Sequence, residues 1–120
     1  MQAIHLTASF AIPAEHRARF AELAGELIAS VRENEPGALQ YLWFYSPDGS
    51  RCHVRETYRD VAAVKAHADN VGATLGKLVQ LAKLEVTFYG PASPDLQAIA
   101  EFLGAELFEY SDGMDRLIAT

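Results

Sequence analysis

The sequence predicts one α+β domain in which two helices cover one face of a mainly antiparallel sheet. The length of 120 residues fits a single domain. Half of the residues are hydrophobic and 22% are charged, a composition typical of a folded globule with its own core. In four segments apolar residues alternate with polar ones, which indicates strands. In two longer segments they recur every three or four residues, which indicates helices. The resulting order is β-α-β-β-α-β, followed by a short helix and strand.

The first strand and the first helix occupy residues 3–32. One side of the strand carries Ile4, Leu6, Ala8 and Phe10. Pro13 suits the start of a helix, where its missing N–H is not needed. The helix has one apolar stripe, made of Phe20, Leu23, Leu27 and Val31. Residues 34–37 (NEPG) contain strong helix breakers and end it.

The next two strands form a hairpin. Residues 38–46 carry large apolar side chains on both parities: Leu39, Tyr41, Trp43 and Tyr45 on one, and Leu42 and Phe44 on the other. Residues 46–50 (SPDGS) have the turn chemistry of a hairpin. The return strand is predicted to run from Arg51 to Arg59.

Asp60 is a suitable N-cap for the second helix. The inward face of this helix is predicted to be Val61, Val64, Ala68 and Val71. We expect Gly72 to interrupt the helix, with a further helical stretch presenting Leu75, Leu78, Val79 and Ala82. Residues 83–89 then alternate as a strand, with Leu84, Val86 and Phe88 on one side.

The C-terminal part is predicted to add a short helix and a strand. Ser93 caps the helix, Pro94 takes its first position and Gly104 ends it. Its inward residues are predicted to be Leu96, Ile99 and Leu103. Residues 105–111 alternate weakly and indicate a final edge strand. The whole of residues 1–120 is therefore read as one domain, with a core at 3–90 and an extension at 91–120.

The element order is the ferredoxin-like plan, in which both main helices lie on one face of the sheet. The other face bears Leu42 and Phe44, so it needs a cover. The simplest cover is the same face of a second copy, which predicts a homodimer. The tail strand is expected to pair with the partner's edge. The alternative is a monomer whose tail helix folds back over the sheet.

The net charge and the numbers of cysteine and histidine residues argue against several classes of partner and of binding site. The net charge of -6 disfavours nucleic acid and anionic membrane surfaces. Cys52 is the single cysteine, and the four histidines lack metal-ligand spacing, so we expect no metal site. The sequence shows neither a signal peptide nor a run of about 20 apolar residues. The expected location is the cytoplasm.

Several residues together resemble the antibiotic biosynthesis monooxygenase family of dimeric α+β barrels. These are residues 36–41 (PGALQY), residues 56–60 (ETYRD), and Ala63 and His67 on the following helix. The resemblance covers roughly residues 3–90. It implies a pocket between sheet and helices, and oxidation of phenol- or quinol-like substrates by molecular oxygen without metal or flavin.

Cofactor-free oxygenation requires a base, a dry pocket and a donor for the substrate anion. His67 is the candidate base, because its ordinary pKa lies near neutrality and it flanks an apolar helical face. Glu56 shares parity with Val54 and Tyr58, and it either orients His67 or binds substrate. Tyr58 completes the candidate catalytic set. The alternative is a hydrogen-bonded structural histidine and an ion pair of Glu56 with a nearby arginine.

The candidate substrate-binding residues are Tyr41, Trp43, Tyr89 and Val64. The alternative for the aromatic residues is a core or interface role. Two other functions stay open: a non-catalytic dimer that binds a small apolar ligand, and a haem-binding protein with His67 as ligand. The resemblance implies that haem-degrading relatives carry an asparagine on the first strand. The first strand here has none, which disfavours haem degradation.

Overall fold

The computed structural model describes residues 3–117 and confirms the α+β order. The strands are β1 (Ile4–Ala11), β2 (Ala38–Tyr45), β3 (Arg51–Tyr58), β4 (Lys83–Gly90) and β5 (Glu106–Glu109). The helices are α1 (Arg17–Asn34), α2 (Val61–Leu81) and α3 (Pro94–Leu103), and a 3₁₀ turn at Ala14–His16 precedes α1. The fold is ferredoxin-like, with the extra helix and strand at the C-terminal end.

The sheet has five strands in the order β2-β3-β1-β4-β5. The first four are antiparallel, whereas β5 runs parallel to β4, so the sheet is mixed. Thr87 is opposite Glu106, and Tyr89 is opposite Phe108. The tail strand therefore pairs with β4 of its own chain and forms an edge of the sheet, and the expectation that it also pairs with a partner's edge stays a prediction. The α3 crossover is what allows a parallel fifth strand.

The predicted caps and turn are confirmed. Asp60 accepts a hydrogen bond from the backbone N–H of Ala63 at 2.9 Å, and Ser93 accepts one from Leu96 at 3.2 Å. Gly104 ends α3 with a φ of 65°, which glycine adopts without a steric penalty. These contacts fix where α2 and α3 begin, and hence which of their side chains face the sheet.

Helix α2 is continuous, so the expected interruption at Gly72 is wrong. An isolated glycine costs a helix about 1 kcal/mol, which burial of Val64, Val71 and Leu78 on one side outweighs. Val79, predicted to face inward, is 46% exposed because it lies about 100° around the helix from Leu78. In β2, a register irregularity between Ala38 and Gln40 leaves the side chain of Leu39 exposed.

The core lies between the sheet and the helices. The α1 stripe of Phe20, Leu23, Leu27 and Val31 is buried, as predicted. Phe10 on β1 meets the Phe20 ring edge-on at 5.1 Å between centroids and stacks on Trp43 at 6.2 Å. Each fully buried large side chain contributes about 1.5–3 kcal/mol, so this layer anchors α1 to the sheet.

The opposite face of the sheet has no cover from residues 3–117. Leu42 is 44% exposed and Phe44 is 50% exposed. Helix α3 packs on the same side as α1 and α2, which contradicts the alternative in which the tail helix covers the open face. None of the described helices is both long and apolar enough to cross a membrane.

Candidate active site

A cavity of about 300 Å³ lies between the sheet and helices α2 and α3. Its walls are mostly apolar and include Ala8, Val54, Val64, Leu75, Val86 and Phe88. The polar side chains that line it are Tyr41, Trp43, Glu56 and His67. This is the usual composition of a small-molecule site, in which a few polar groups orient a ligand inside an apolar enclosure.

His67 lies on α2 between two carboxyl groups. Its Nδ1 is 2.9 and 3.1 Å from the two oxygens of Glu35, and its Nε2 is 3.4 Å from Oε1 of Glu56. A carboxylate only accepts hydrogen bonds, so Nδ1 carries the proton in the neutral ring and Nε2 holds the lone pair. Burial lowers the pKa of His67, opposed by the charge and hydrogen bond of Glu35.

Glu35 holds His67 in place, although the sequence pattern marks this residue only as part of the helix end. It follows the last residue of α1, and its side chain is 3% exposed. Asn70 donates to Glu35 at 2.7 Å and accepts from the Ser30 hydroxyl at 3.2 Å. The available signal was the i+4 spacing from Val31, which places Glu35 on the buried stripe of α1.

Glu56 faces the helices because it shares the parity of Val54 and Tyr58 on β3. Burial raises its pKa to about 8, and the nearby Glu35 charge acts in the same direction against the hydrogen bond from Tyr58. Glu56 therefore keeps its proton at neutral pH. The alternative of an ion pair with a neighbouring arginine is not what the geometry shows, since the partners of Glu56 are Tyr58 and His67.

Tyr58 lies behind Glu56 and outside the cavity lining. Its hydroxyl donates to Glu56 Oε1, and its ring centroid is 5.0 Å from that of His67. Burial raises the pKa of Tyr58, and the Glu56 charge adds to this, so its hydroxyl remains a donor. Tyr58 therefore reaches the cavity only through Glu56.

Tyr41 and Trp43 extend the polar group along β2. The Tyr41 ring is 5.4 Å from the His67 ring and 5.7 Å from Trp43. Burial raises the pKa of Tyr41, so its hydroxyl stays protonated. The Trp43 indole N–H is buried and finds no acceptor among residues 3–117. An unsatisfied buried donor costs about 1–3 kcal/mol, which a ligand oxygen at this position would recover.

The structure does not bring Tyr89 to the cavity. Phe88 faces the helices, so its neighbour Tyr89 faces the open side of the sheet. There its ring stacks on Phe108 at 5.8 Å. Of the four residues expected to bind substrate, the cavity thus contains Tyr41, Trp43 and Val64.

The cluster is suited to moving protons. Glu35 and Glu56 contact different nitrogens of the imidazole ring, so they do not converge on a common point. Consistent with this, no group of His, Cys, Asp and Glu side chains in the described part of the chain is arranged to hold a metal ion. A neutral imidazole with a free lone pair and a protonated carboxyl lie side by side, which is a base next to an acid.

Residues 3–73 match the antibiotic biosynthesis monooxygenase family. This segment is more than half of the chain and includes Glu35, Tyr41, Trp43, Glu56 and His67. The chain belongs to the antibiotic biosynthesis monooxygenase family. No curated protein matches it in sequence.

Several solved structures share this fold. MupZ from Pseudomonas fluorescens is similar over 98% of both chains, with a TM-score of 0.87 and 23% identity. Rv0793 from Mycobacterium tuberculosis covers 76% of this chain and 96% of its own, with a TM-score of 0.67 and 22% identity. A candidate antibiotic biosynthesis monooxygenase from Caulobacter crescentus covers 72% and 86%, with a TM-score of 0.66 and 24% identity. At these identities the likeness shows the fold.

Proposed function

We propose that this protein is a cofactor-independent monooxygenase that oxidises a small phenol- or quinol-like molecule with molecular oxygen. The observation that carries the proposal is the Glu35–His67–Glu56 cluster beside an otherwise apolar cavity. Membership of a monooxygenase family supports the same reading. Such a reaction needs a base and a pocket that excludes water, and it needs few other protein groups.

In the proposed reaction, Nε2 of His67 removes the proton of the substrate hydroxyl. Glu35 stabilises the resulting imidazolium through Nδ1, which keeps the proton on the ring. The Trp43 N–H and the Tyr41 hydroxyl donate hydrogen bonds to the substrate anion. These donors offset the cost of forming an anion in an apolar cavity.

The anion then supplies electrons to oxygen. One oxygen atom forms a bond to substrate carbon, and the other leaves as water. The substrate provides both the electrons and the hydrogens for that water. Glu56, protonated at neutral pH, donates a proton to the departing oxygen and regains one from His67.

We further propose that the protein acts as a homodimer of single-domain subunits. Its open sheet face exposes Leu42, Phe44, Tyr89 and Phe108. Members of the family are typically dimeric. Covering this face with the same face of a second copy would bury these side chains about a two-fold axis.

A second candidate is acid–base catalysis without oxygen, such as isomerisation by proton transfer. The observation that favours it is the adjacent acid and base, Glu56 and His67, which suffice for that chemistry.

Oxygen uptake with a panel of hydroquinones, in the presence of a chelator, tests the proposal. Wild type should consume one oxygen molecule per product, with one labelled atom from ¹⁸O₂ in the product. His67→Gln should lose about 100-fold in rate. The control is His16→Gln, which alters a histidine outside the cavity and should leave the rate unchanged.

The outcomes separate the candidates. Absence of uptake above buffer, or full activity in His67→Gln, would overturn the monooxygenase mechanism. Turnover that continues without oxygen would support acid–base catalysis instead. Thermal stabilisation by phenols with no product in either atmosphere would indicate a non-catalytic binding protein.

A further inference from the structure

The cavity meets solvent between α2 and α3. Within residues 3–117, four of its lining residues are exposed: Ala68 and Gly72 on α2, and Phe102 and Leu103 on α3. Phe102 is 89% exposed and Leu103 is 51% exposed. These four residues form the mouth of the cavity, and none of them carries a polar side chain.

The α3 side of the mouth, formed by Phe102 and Leu103, and the polar cluster lie over different parts of the sheet. Tyr41 and Trp43 belong to the edge strand β2, and Glu56 belongs to its neighbour β3. Helix α3 connects β4 to β5 at the other edge. Strands are spaced about 4.8 Å apart, so β3 and β4 are separated by roughly 10 Å across β1.

The path between these two ends is apolar. Ala8 on β1, Val86 and Phe88 on β4, and Leu75 on α2 line it. Helix α3 buries Leu96 and Ala100 but presents Phe102 and Leu103 to solvent at its end. A small substrate confined to the polar cluster would leave this apolar path and its exposed rim unused.

We propose that the substrate carries a linear apolar chain that runs from the polar cluster across β1 and β4 and leaves between α2 and α3. The occupant of the mouth is that chain, resting on Phe102 and Leu103. This inference rests on the proposed function for the identity of the reacting end. The substrate class is then an alkyl-substituted phenol or quinol.

Binding of a 4-alkylphenol series, from methyl to octyl, tests this inference under argon. Trp43 is the single tryptophan and lines the cavity, so its fluorescence reports occupancy. Each methylene that becomes buried should tighten binding about fourfold. Once the chain reaches the mouth, each further methylene should tighten binding by a smaller factor, because it is only partly buried there.

Two matched glycines on α2 locate the exit. A Cβ added at Gly72 or Gly76 meets no described atom within 4 Å apart from the backbone of its own helix, but only Gly72 lines the cavity. Gly72→Leu should weaken octylphenol binding at least tenfold and leave methylphenol binding unchanged. Gly76→Leu should change neither, and both variants should keep or raise the unfolding temperature because they remove a helical glycine.

Equal binding of all chain lengths, or equal losses in both leucine variants, would overturn the inference. If short phenols are still bound and oxidised in that case, the inference about the alkyl chain fails but the proposed function stands. If alkanols bind more tightly with increasing chain length while phenols neither bind nor cause oxygen uptake, the exit path is supported and the proposed function is overturned. If Phe102→Ser changes the oligomeric mass without weakening octylphenol binding, the rim contacts a second copy and the inference fails.

Discussion

Replacing Glu56 with glutamine tests whether the cavity holds a protonated carboxyl. Burial raises the pKa of Glu56 from the ordinary 4.5 to about 8. Glutamine has nearly the shape of the protonated acid and can still accept from Tyr58. The substitution therefore removes the titration while keeping the packing, which isolates the effect of the charge.

The sign and size of the expected stability change follow from proton linkage. Below pH 4.5 both the folded and the unfolded chain hold the Glu56 proton, so the group imposes no penalty on folding. Between 4.5 and 8 the unfolded chain loses the proton while the folded chain keeps it. Each pH unit in this window lowers the free energy of unfolding by about 1.4 kcal/mol. Allowing for partial titration, the penalty grows by about 3.5 kcal/mol from pH 5 to pH 8.

Urea unfolding at matched protein concentration, at pH 5 and pH 8, measures this difference. Glu56→Gln should be close to wild type in stability at pH 5 and more stable by several kcal/mol at pH 8. Glu101→Gln, at an exposed position on α3, is the control and should show no such trend. A difference between Glu56→Gln and wild type that is the same at both pH values would contradict the protonated state.

Three further predictions concern positioning and packing. Glu35→Gln removes the charge that stabilises the imidazolium, so kcat should fall about 100-fold with KM nearly unchanged in steady-state assays; a loss below twofold would exclude a positioning role. Gly37→Ala should destabilise the fold by about 1–3 kcal/mol in urea titrations, because the added Cβ would lie 2.7 Å from the Cβ of Ala63. A stabilising effect would show that this contact relaxes freely. Phe88→Ala should cost about 3–5 kcal/mol, since the side chain is fully buried between sheet and helices; a cost under 1 kcal/mol would mean that the cavity wall collapses around the gap.

Local periodicity was sufficient for much of the fold. The two-residue alternation of β1 and the stripe of α1 each depend on a single burial direction, which the sequence records directly. Asp60 and Ser93 act through backbone groups three residues away, so their capping roles were also predictable. Features set by neighbours in sequence were therefore confirmed.

Features set by distant packing were not predictable in this way. Helix α2 continues through Gly72 because its contacts with the sheet outweigh one residue's propensity. The parallel pairing of β5 with β4 depends on where α3 docks, which no local pattern encodes.

The candidate site shows the same division. The parity of Glu56 and the helical position of His67 correctly indicated that both face the interior. Glu35 was missed because a charged residue before Pro36 and Gly37 resembles an ordinary helix end. Its partners His67 and Asn70 are more than 30 positions away. The prediction for Tyr89 is wrong because aromatic character alone does not set burial, whereas the alternation of β4 turns Tyr89 to the open face of the sheet.

Absorption spectroscopy of bound 4-nitrophenol, whose anion absorbs in the visible, tests proton removal by His67 most directly. At a pH where the free compound is mostly protonated, wild type should bind it as the anion, whereas His67→Gln should bind it in the protonated form. Binding of the same protonated form by both proteins would contradict the assignment of His67 as the base.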